Sequence, residues 1–384
     1  VLRDFAEVLK TYSAHTSHIA RLSGDEYIVL FKSNIATWSA HETCQKLIDE
    51  CATMSIQDGE RLGLSLTMGL AVFPKDGSTL DNFMQSVYSA VQVGKQKKHI
   101  GSSCILYNTE IERERFREKD IRGALKIAIE NQSFELAFQP IMSNELGYFV
   151  GCESLLRWPT MDPQWNIQEV IDVAENSGLI LDVGEQVIDM ALAKISHLTT
   201  LGIKKWVSIN ISPLQFQFQD VPKIISLALV KYNVDPSMLV VEVTENIFLE
   251  NITHVAAILN QLSKMGIKIA IDDFGSGYSS LRYVQLLPID KIKIDKVFID
   301  DVGSSDESQG IVKAVINMSH SLGYKVVAEG VETEGQLEVL KGIGCDFIQG
   351  YYFSKPVSFD QLLELKDFSV SAPLVLKTHL GRTL

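Results

Sequence analysis

The chain has 384 residues, enough for two domains if one is a (β/α)8 barrel of about 250 residues. Hydrophobic residues make up 46% and charged residues 22%, which excludes a disordered, collagen-like or coiled-coil chain. With 48 acidic against 35 basic residues the formal net charge is −13, so the broad basic surface that a nucleic-acid polymer or an anionic membrane needs is not expected. No run approaches the roughly 18 apolar residues of a membrane span. The opening VLRDFAEVLK mixes charges into an apolar period; it is no secretory signal and reads like the middle of a domain. Five scattered cysteines (Cys44, Cys51, Cys104, Cys152, Cys345) without a CxxC pair point to free thiols and a cytoplasmic location. The eight histidines are equally dispersed, which argues against a His/Cys zinc site.

Residues 1–108 read as a short α/β domain. An amphipathic segment at 1–14 precedes a hairpin over 18–31 with its turn at Ser23-Gly24-Asp25, and a helix follows over 38–54. A strand over 62–74 then meets a Pro-Lys-Asp-Gly turn, and a further helix spans 79–94. From Asn108 the composition shifts: charges of both signs surround Ile111, Phe116, Ile121, Leu125 and Ile129 at helical spacing. That pattern fits a solvated connecting helix, and the domain boundary is placed there, with 109–120 as linker.

Residues 131–368 alternate apolar runs with helical stretches: FELAFQPI, GYFVGCESLLRW, WVSIN, MLVVEVTE, IKIAIDDF, DKIKID, KVVAEGVE and CDFIQGYYF, with helical patterns at 184–200, 222–232, 251–265, 307–322 and 333–342. This is the signature of a βα-repeating parallel sheet, and the count fits a closed barrel. The tail 369–384 lacks strong periodicity. At the ends of the apolar runs stand Glu153, Asn210, Glu242 with Glu245, Asp272 with Asp273, Lys293 with Asp295, Glu329 with Glu332, and Gln349. In such a barrel the C-terminal strand ends converge on one rim, where active sites form. A single carboxylate there is more often a solvated loop residue; the recurrence on successive strands is what carries weight.

Carboxylates crowded into one mouth need a proton or a cation to offset their repulsion. Oxygen ligands without His or Cys favour Mg²⁺ or Mn²⁺ over Zn²⁺. The adjacent Asp272-Asp273 is the natural bridge between two such ions, which together clamp a phosphodiester and activate water. Lys293 would neutralise charge or orient that water, on a strand face shared with Asp295. The stretch Asp273-Phe274-Gly275-Ser276-Gly277-Tyr278-Ser279-Ser280 reads as a Gly-rich rim loop. Its DFG tripeptide lacks the companion motifs of a protein kinase, so that reading is rejected.

These residues resemble the EAL domain of bacterial cyclic-di-GMP phosphodiesterases over 120–368. The signature Glu-Ala-Leu-x-Arg stands as Glu153-Ser154-Leu155-Leu156-Arg157, with Ser in place of Ala beside the ligand, a change expected to do little damage. Further blocks are FQPI (138–141), AENSGLI (174–180), NISP (210–213), EVTE (242–245), DDFGSGYSSL (272–281), IKID (292–295), AEGVE (328–332) and QGYYFSKP (349–356). The resemblance implies an EAL-type (β/α)8 barrel behind a smaller α+β domain, opening cyclic-di-GMP to linear pGpG with two Mg²⁺ or Mn²⁺ ions. It implies that Glu153, Asn210, Glu242 and Asp272 hold one ion, and that Asp272, Asp273 and Glu329 serve the second ion or its water. Lys293 then positions the water, with Glu329 the candidate general base; Arg157 contacts a substrate phosphate. Gln139, Glu332 and Gln349 are implied to be substrate-pocket or supporting residues, Glu245 to anchor the loop 273–280, and the chain to form a homodimer.

Residues 1–108 resemble a degenerate GGDEF domain, the diguanylate cyclase fold, with Ser23-Gly24-Asp25-Glu26-Tyr27 as its motif. The chain begins after the strand that supplies a metal-binding Asp in that family. Ala14 and Ser17 stand where its inhibitory-site Arg and Asp would fall, and a later block is blurred into SVYSAVQVG (86–94). Cyclase activity is not expected; a regulatory role is, with GTP binding at the glycine turn as an open alternative. The rival to the hydrolase is a receptor that holds cyclic-di-GMP uncut and signals through the 108–130 helix; such receptors usually lack ligands that this chain retains.

Overall fold

The computed structural model describes residues 2–11, 16–31, 37–52, 65–96, 102–145, 147–245, 247, 252–275 and 285–365. The expectations for Ala14, for 276–280 of the Gly-rich loop and for the tail 369–384 lie outside the described residues. The chain divides into two compact units, Val1–Asp120 and Ile121–Leu384.

In the first unit a helix, Leu2–Thr11, is followed by strands β1 (Thr16–Ser23) and β2 (Glu26–Phe31), an antiparallel pair joined at Gly24-Asp25. Gly24 has a φ of +50°, the left-handed backbone that favours glycine in such turns. The Arg21 guanidinium closes that turn by donating from both Nε and Nη2 to the Gly24 carbonyl. Helix Thr37–Ala52, β3 (Thr67–Leu70), helix Leu80–Gln96 and β4 (Ser103–Leu106) follow, β3 and β4 pairing in parallel. The small core gathers Phe5, Leu9, Leu47 and Cys51 against Ile19, Tyr27 and Val29. β4 has no counterpart in the sequence reading; at four residues it is too short to show a period.

A single 22-residue helix, Thr109–Glu130, carries the mixed charges. Eight strands then close into a barrel: β5 (Glu135–Ser143), β6 (Phe149–Arg157), β7 (Trp206–Asn210), β8 (Leu239–Thr244), β9 (Lys268–Phe274), β10 (Lys291–Ile294), β11 (Lys325–Ala328) and β12 (Phe347–Gln349). Seven of these strands fall within the apolar runs named above, and β5 outruns FELAFQPI by Met142 and Ser143. The sheet is not wholly parallel, however: β5 runs antiparallel to both β6 and β12. The reason is local. Only residues 144–148 separate β5 from β6, a length that makes a hairpin but cannot make a parallel crossover of a dozen or more residues.

Strand alternation sorts the barrel residues. Leu239, Val241 and Val243 of β8, Ile269 and Ile271 of β9, Ile292 and Ile294 of β10, and Val326 and Ala328 of β11 belong to the main core with the surrounding helices. Their neighbours of opposite parity, among them Glu242, Asp272 and Lys293, are also buried and therefore face the barrel interior. The helices start where the chain supplies caps. Asn166, Thr333 and Ser358 accept backbone N–H groups of the first turns of Ile167–Ser177, Glu334–Gly342 and Phe359–Glu364. Among the described residues no helix is long and apolar enough to cross a membrane.

The interior is layered. At its N-terminal end the Lys291 ammonium lies 4.2 Å from the centroid of the Trp206 ring, and Trp206 meets Phe347 edge-on at 6.4 Å. Gly151 makes room for this stack: a Cβ there would come within 2.3 Å of the Trp206 ring. Burial pushes the Lys291 pKa down to about 8, against the pull of Asp290 and Glu242. Above this floor the interior holds the buried Gln139, Glu153, Glu242, Asp272, Lys293 and Gln349, with Val240, Ala270 and Val327 among them.

Candidate active site

Lys293, only 1% exposed, stands at the centre of the mouth. Its Nζ lies 2.7 Å from Glu242 Oε2, 2.7 Å from Glu329 Oε1, 3.1 Å from Asp272 Oδ1 and 3.2 Å from Glu153 Oε2. A ring of amides supports these acids. Asn210 Nδ2 donates to Glu153 Oε1 at 2.8 Å, and Gln349 Nε2 donates to Glu153 Oε2 at 2.7 Å and to Gln139 Oε1 at 3.1 Å. Gln139 sits opposite Glu153 in the β5–β6 hairpin and donates from Nε2 to the Ser354 carbonyl at 3.3 Å. Glu153 itself lies mid-strand and not at a strand end, because β6 runs on to Arg157 alongside β5.

Asp272 and Asp273 reach the same place by an irregularity. From Ile271 to Phe274 β9 takes three steps while β10 takes two, Ile292 to Ile294. The extra residue is a bulge, and Asp273 has a φ of +52°. In a regular strand adjacent side chains point to opposite faces; here both carboxylates join the mouth. Glu153, Glu242 and Asp272 bring ligand atoms within 4.8 Å of one another, and so do Asp272, Asp273 and Glu329. The two groups share Asp272.

The electrostatics show how overfilled the mouth is. Burial raises the Glu242 pKa to about 8, with Glu153 and Asp272 adding to the shift and Lys293 opposing it. Asp272 and Glu329 move up for the same reasons, Glu329 well above its ordinary value. Asp273, at the open rim, is raised to about 6 by desolvation and by Asp272 and Asp295. Burial opposes ionisation of Glu153 too, but Lys293 and the hydrogen bonds from Gln349, Asn210 and Lys293 outweigh it and hold Glu153 below the usual range. Although burial disfavours its charge, the surrounding acids hold the Lys293 ammonium well above its ordinary pKa. One ammonium against several acids leaves protons on the carboxyl groups, unless further cations bind. All-oxygen donors in two overlapping groups suit hard divalent ions, so the residues fit a two-ion site. Among the described residues, the buried Gln349 Oε1 and Glu245 Oε1 have no hydrogen-bond partner.

The remaining expected residues divide. Glu245 Oε2 accepts the Gly275 N–H at 2.9 Å, gripping the start of the loop. Arg157 shares the strand parity of Glu153 but turns to donate from Nη1 to the Leu156 carbonyl at 2.8 Å. Glu332 lies outside the cluster, exposed and paired with Lys296 at 2.6 Å. Asp295 stands close enough to Asp273 to help raise its pKa, and its carboxylate also caps the following short helix by accepting the Val297 N–H at 2.8 Å. Ser154 is not beside the ligand either. It alternates away from Glu153, and its hydroxyl donates to the Ser208 carbonyl at 2.7 Å.

Two residues escaped the sequence reading. Lys296 pairs with Glu332, its stem lying where a Cβ at Gly330 would come within 2.4 Å. Gln336 accepts the Glu332 and Thr333 N–H groups through Oε1 and donates from Nε2 to the Ile299 and Asp300 carbonyls, tying two rim segments together. A capping Thr-x-x-Gln pattern was visible in the sequence; the second pair of bonds was not.

An eight-stranded barrel with a carboxylate-lined mouth defines a (β/α)8-type fold carrying a candidate divalent-metal centre. Residues 122–356 match the family described as EAL domain, and residues 1–100 match the family described as diguanylate cyclase, GGDEF domain. The chain belongs to the EAL domain family, with a GGDEF-family region ahead of it. It is 37% identical over 364 residues to the signaling protein YkoW of Bacillus subtilis (strain 168), covering 94% of this chain and 45% of that protein. It is 32% identical over 367 residues to the bifunctional diguanylate cyclase/cyclic di-GMP phosphodiesterase MucR of Pseudomonas aeruginosa, covering 94% of this chain and 53% of that protein. The solved structure described as PaMucR phosphodiesterase, c-di-GMP complex, superposes with a TM-score of 0.60 at 36% identity, covering 63% of this chain and 99% of that one. The chain thus spans about half the length of these curated relatives.

Proposed function

We propose that the barrel is a Mg²⁺- or Mn²⁺-dependent phosphodiesterase that hydrolyses cyclic-di-GMP to linear pGpG. The observation that carries this reading is the pair of overlapping three-carboxylate groups sharing Asp272. The MucR structure solved with cyclic-di-GMP adds the substrate class. Divalent ions held by Glu153, Asn210, Glu242, Asp272, Asp273 and Glu329 would withdraw charge from the phosphoryl oxygens and acidify the attacking water.

The chain's own groups do the rest. Lys293 orients the water in line with the phosphorus–O3′ bond, and Glu329 takes its proton. The water oxygen bonds to phosphorus, the bond to O3′ breaks, and the departing oxygen takes up a proton from solvent, to which Glu329 returns its own. Arg157 turns its guanidinium to a phosphate oxygen. Gln139 and Gln349 keep Glu153 in register, while Glu332 lines the outer pocket and Glu245 fixes the loop. Residues 1–108 are read as regulatory and not as a cyclase, with 109–120 as linker and 121–368 as the catalytic domain; a GTP titration of the hydrolysis rate tests for nucleotide control.

Chromatographic separation of cyclic-di-GMP from pGpG, with Mg²⁺ or Mn²⁺ and again with EDTA, tests the central reading. Turnover that EDTA abolishes is expected, and Glu153→Ala should lower it by about 10³-fold or more, since the metal-ligand set would be broken. Rates near those of the unchanged protein would refute the metal assignment.

A further inference from the structure

We propose that Lys293 is a resident cation of the barrel mouth: it holds the acids together when no divalent ion is bound, and it yields them when ions bind, so that it sets the affinity for those ions. The use made of the site rests on the phosphodiesterase reading, but the exchange of cations does not.

An ammonium has three N–H donors, yet Glu153, Glu242, Asp272 and Glu329 all stand within 3.2 Å of this one. Among the described residues, every ion pair of these four acids ends on Lys293. The four come from β6, β8, β9 and the segment after β11, so a single charge draws together separate parts of the ring. The same four acids, with Asp273, make up both candidate metal groups. The overlap is at the level of the acids' oxygens. A hard divalent ion bonds to oxygen at about 2.0–2.6 Å, and oxygens committed to it are no longer fully available to an ammonium at 2.7 Å. At 1% exposure the side chain lies among the acids and not in solvent. Ions and ammonium therefore compete for one set of acids, and each lowers the other's hold on them.

Two measurements that need no turnover test this. Calorimetric titration of Mn²⁺ at pH 8 into Lys293→Met should give binding about tenfold tighter or more than in the unchanged protein. The melting temperature of the variant should also fall further in EDTA than in saturating Mn²⁺. Unchanged or weaker Mn²⁺ binding by the folded variant would overturn the proposal. Should the variant not fold, the unchanged protein decides: the ¹⁵N signal of the buried Lys293 ammonium should shift or vanish as Mg²⁺ is added, and a signal unmoved at saturation overturns the proposal. Tightened Mn²⁺ binding without hydrolysis by the unchanged protein would remove the phosphodiesterase reading and leave the exchange standing; hydrolysis with unaltered affinity would do the reverse.

Discussion

Glu242 carries the clearest consequence at the scale of single residues. Its pKa near 8, and that of Asp273 near 6, lie above their ordinary values. The folded protein therefore binds more protons than the unfolded chain between these limits, and stability falls as pH rises. The metal-free protein should lose about 1.4 kcal/mol per pH unit for each such group between its unfolded and folded pKa, seen as a melting temperature that drops from pH 5 to pH 8 in EDTA. Ions must expel those protons to bind, so with saturating Mn²⁺ the decline should flatten. A melting temperature that rises with pH in EDTA would contradict this account. The acids themselves were legible in the sequence, because each stands beside an apolar run. Side-chain direction was less so: Ser154, next to Glu153 in sequence, is turned away from the mouth by strand parity, and Asp295 serves as a helix cap as well as standing near Asp273.

Among the elements, β9 shows what a sequence withholds. An Asp-Asp pair at the end of a strand suggests a bridge, but alternation alone would aim only one of the two inward. The bulge and the left-handed Asp273 resolve this, and neither has a signal in the residue types. The reversed β5 is the opposite case, since the five-residue gap to β6 was there to be read. The barrel floor yields two expectations. In Gly151→Ala a methyl group would press within 2.3 Å of the Trp206 ring, and overpacking of this kind costs about 1–3 kcal/mol, measurable by urea denaturation. Lys291 carries a charge that its surroundings disfavour, its pKa being lowered to about 8 from 10.5. Lys291→Met should accordingly raise stability at pH 7 by roughly 1–3 kcal/mol, and the gain should shrink above pH 8, where the lysine sheds its proton in the folded protein. A loss of stability instead would mean that the stack on Trp206 outweighs desolvation.

The whole molecule comprises two compact units, and the candidate metal ligands all lie in the second. A ligand that binds only the folded form stabilises by about 2.7 kcal/mol at one hundred times its dissociation constant. For a unit of this size that amounts to roughly 5–10 °C. Scanning calorimetry should therefore show Mn²⁺ raising the transition of the second unit and leaving that of the first in place; equal shifts in both would show that the units melt as one.

The seam of the ring has a further bearing on how the protein is made. β5 pairs with β6 within a hairpin, but its other edge waits for β12, which lies some two hundred residues along the chain. Gln349 donates to both Gln139 and Glu153, and the three come from the last, first and second strands of the barrel in chain order. A nascent chain still lacking residue 349 can fold its hairpin yet cannot complete the polar centre, so chemical competence arrives at the end of synthesis of this domain and not gradually during it.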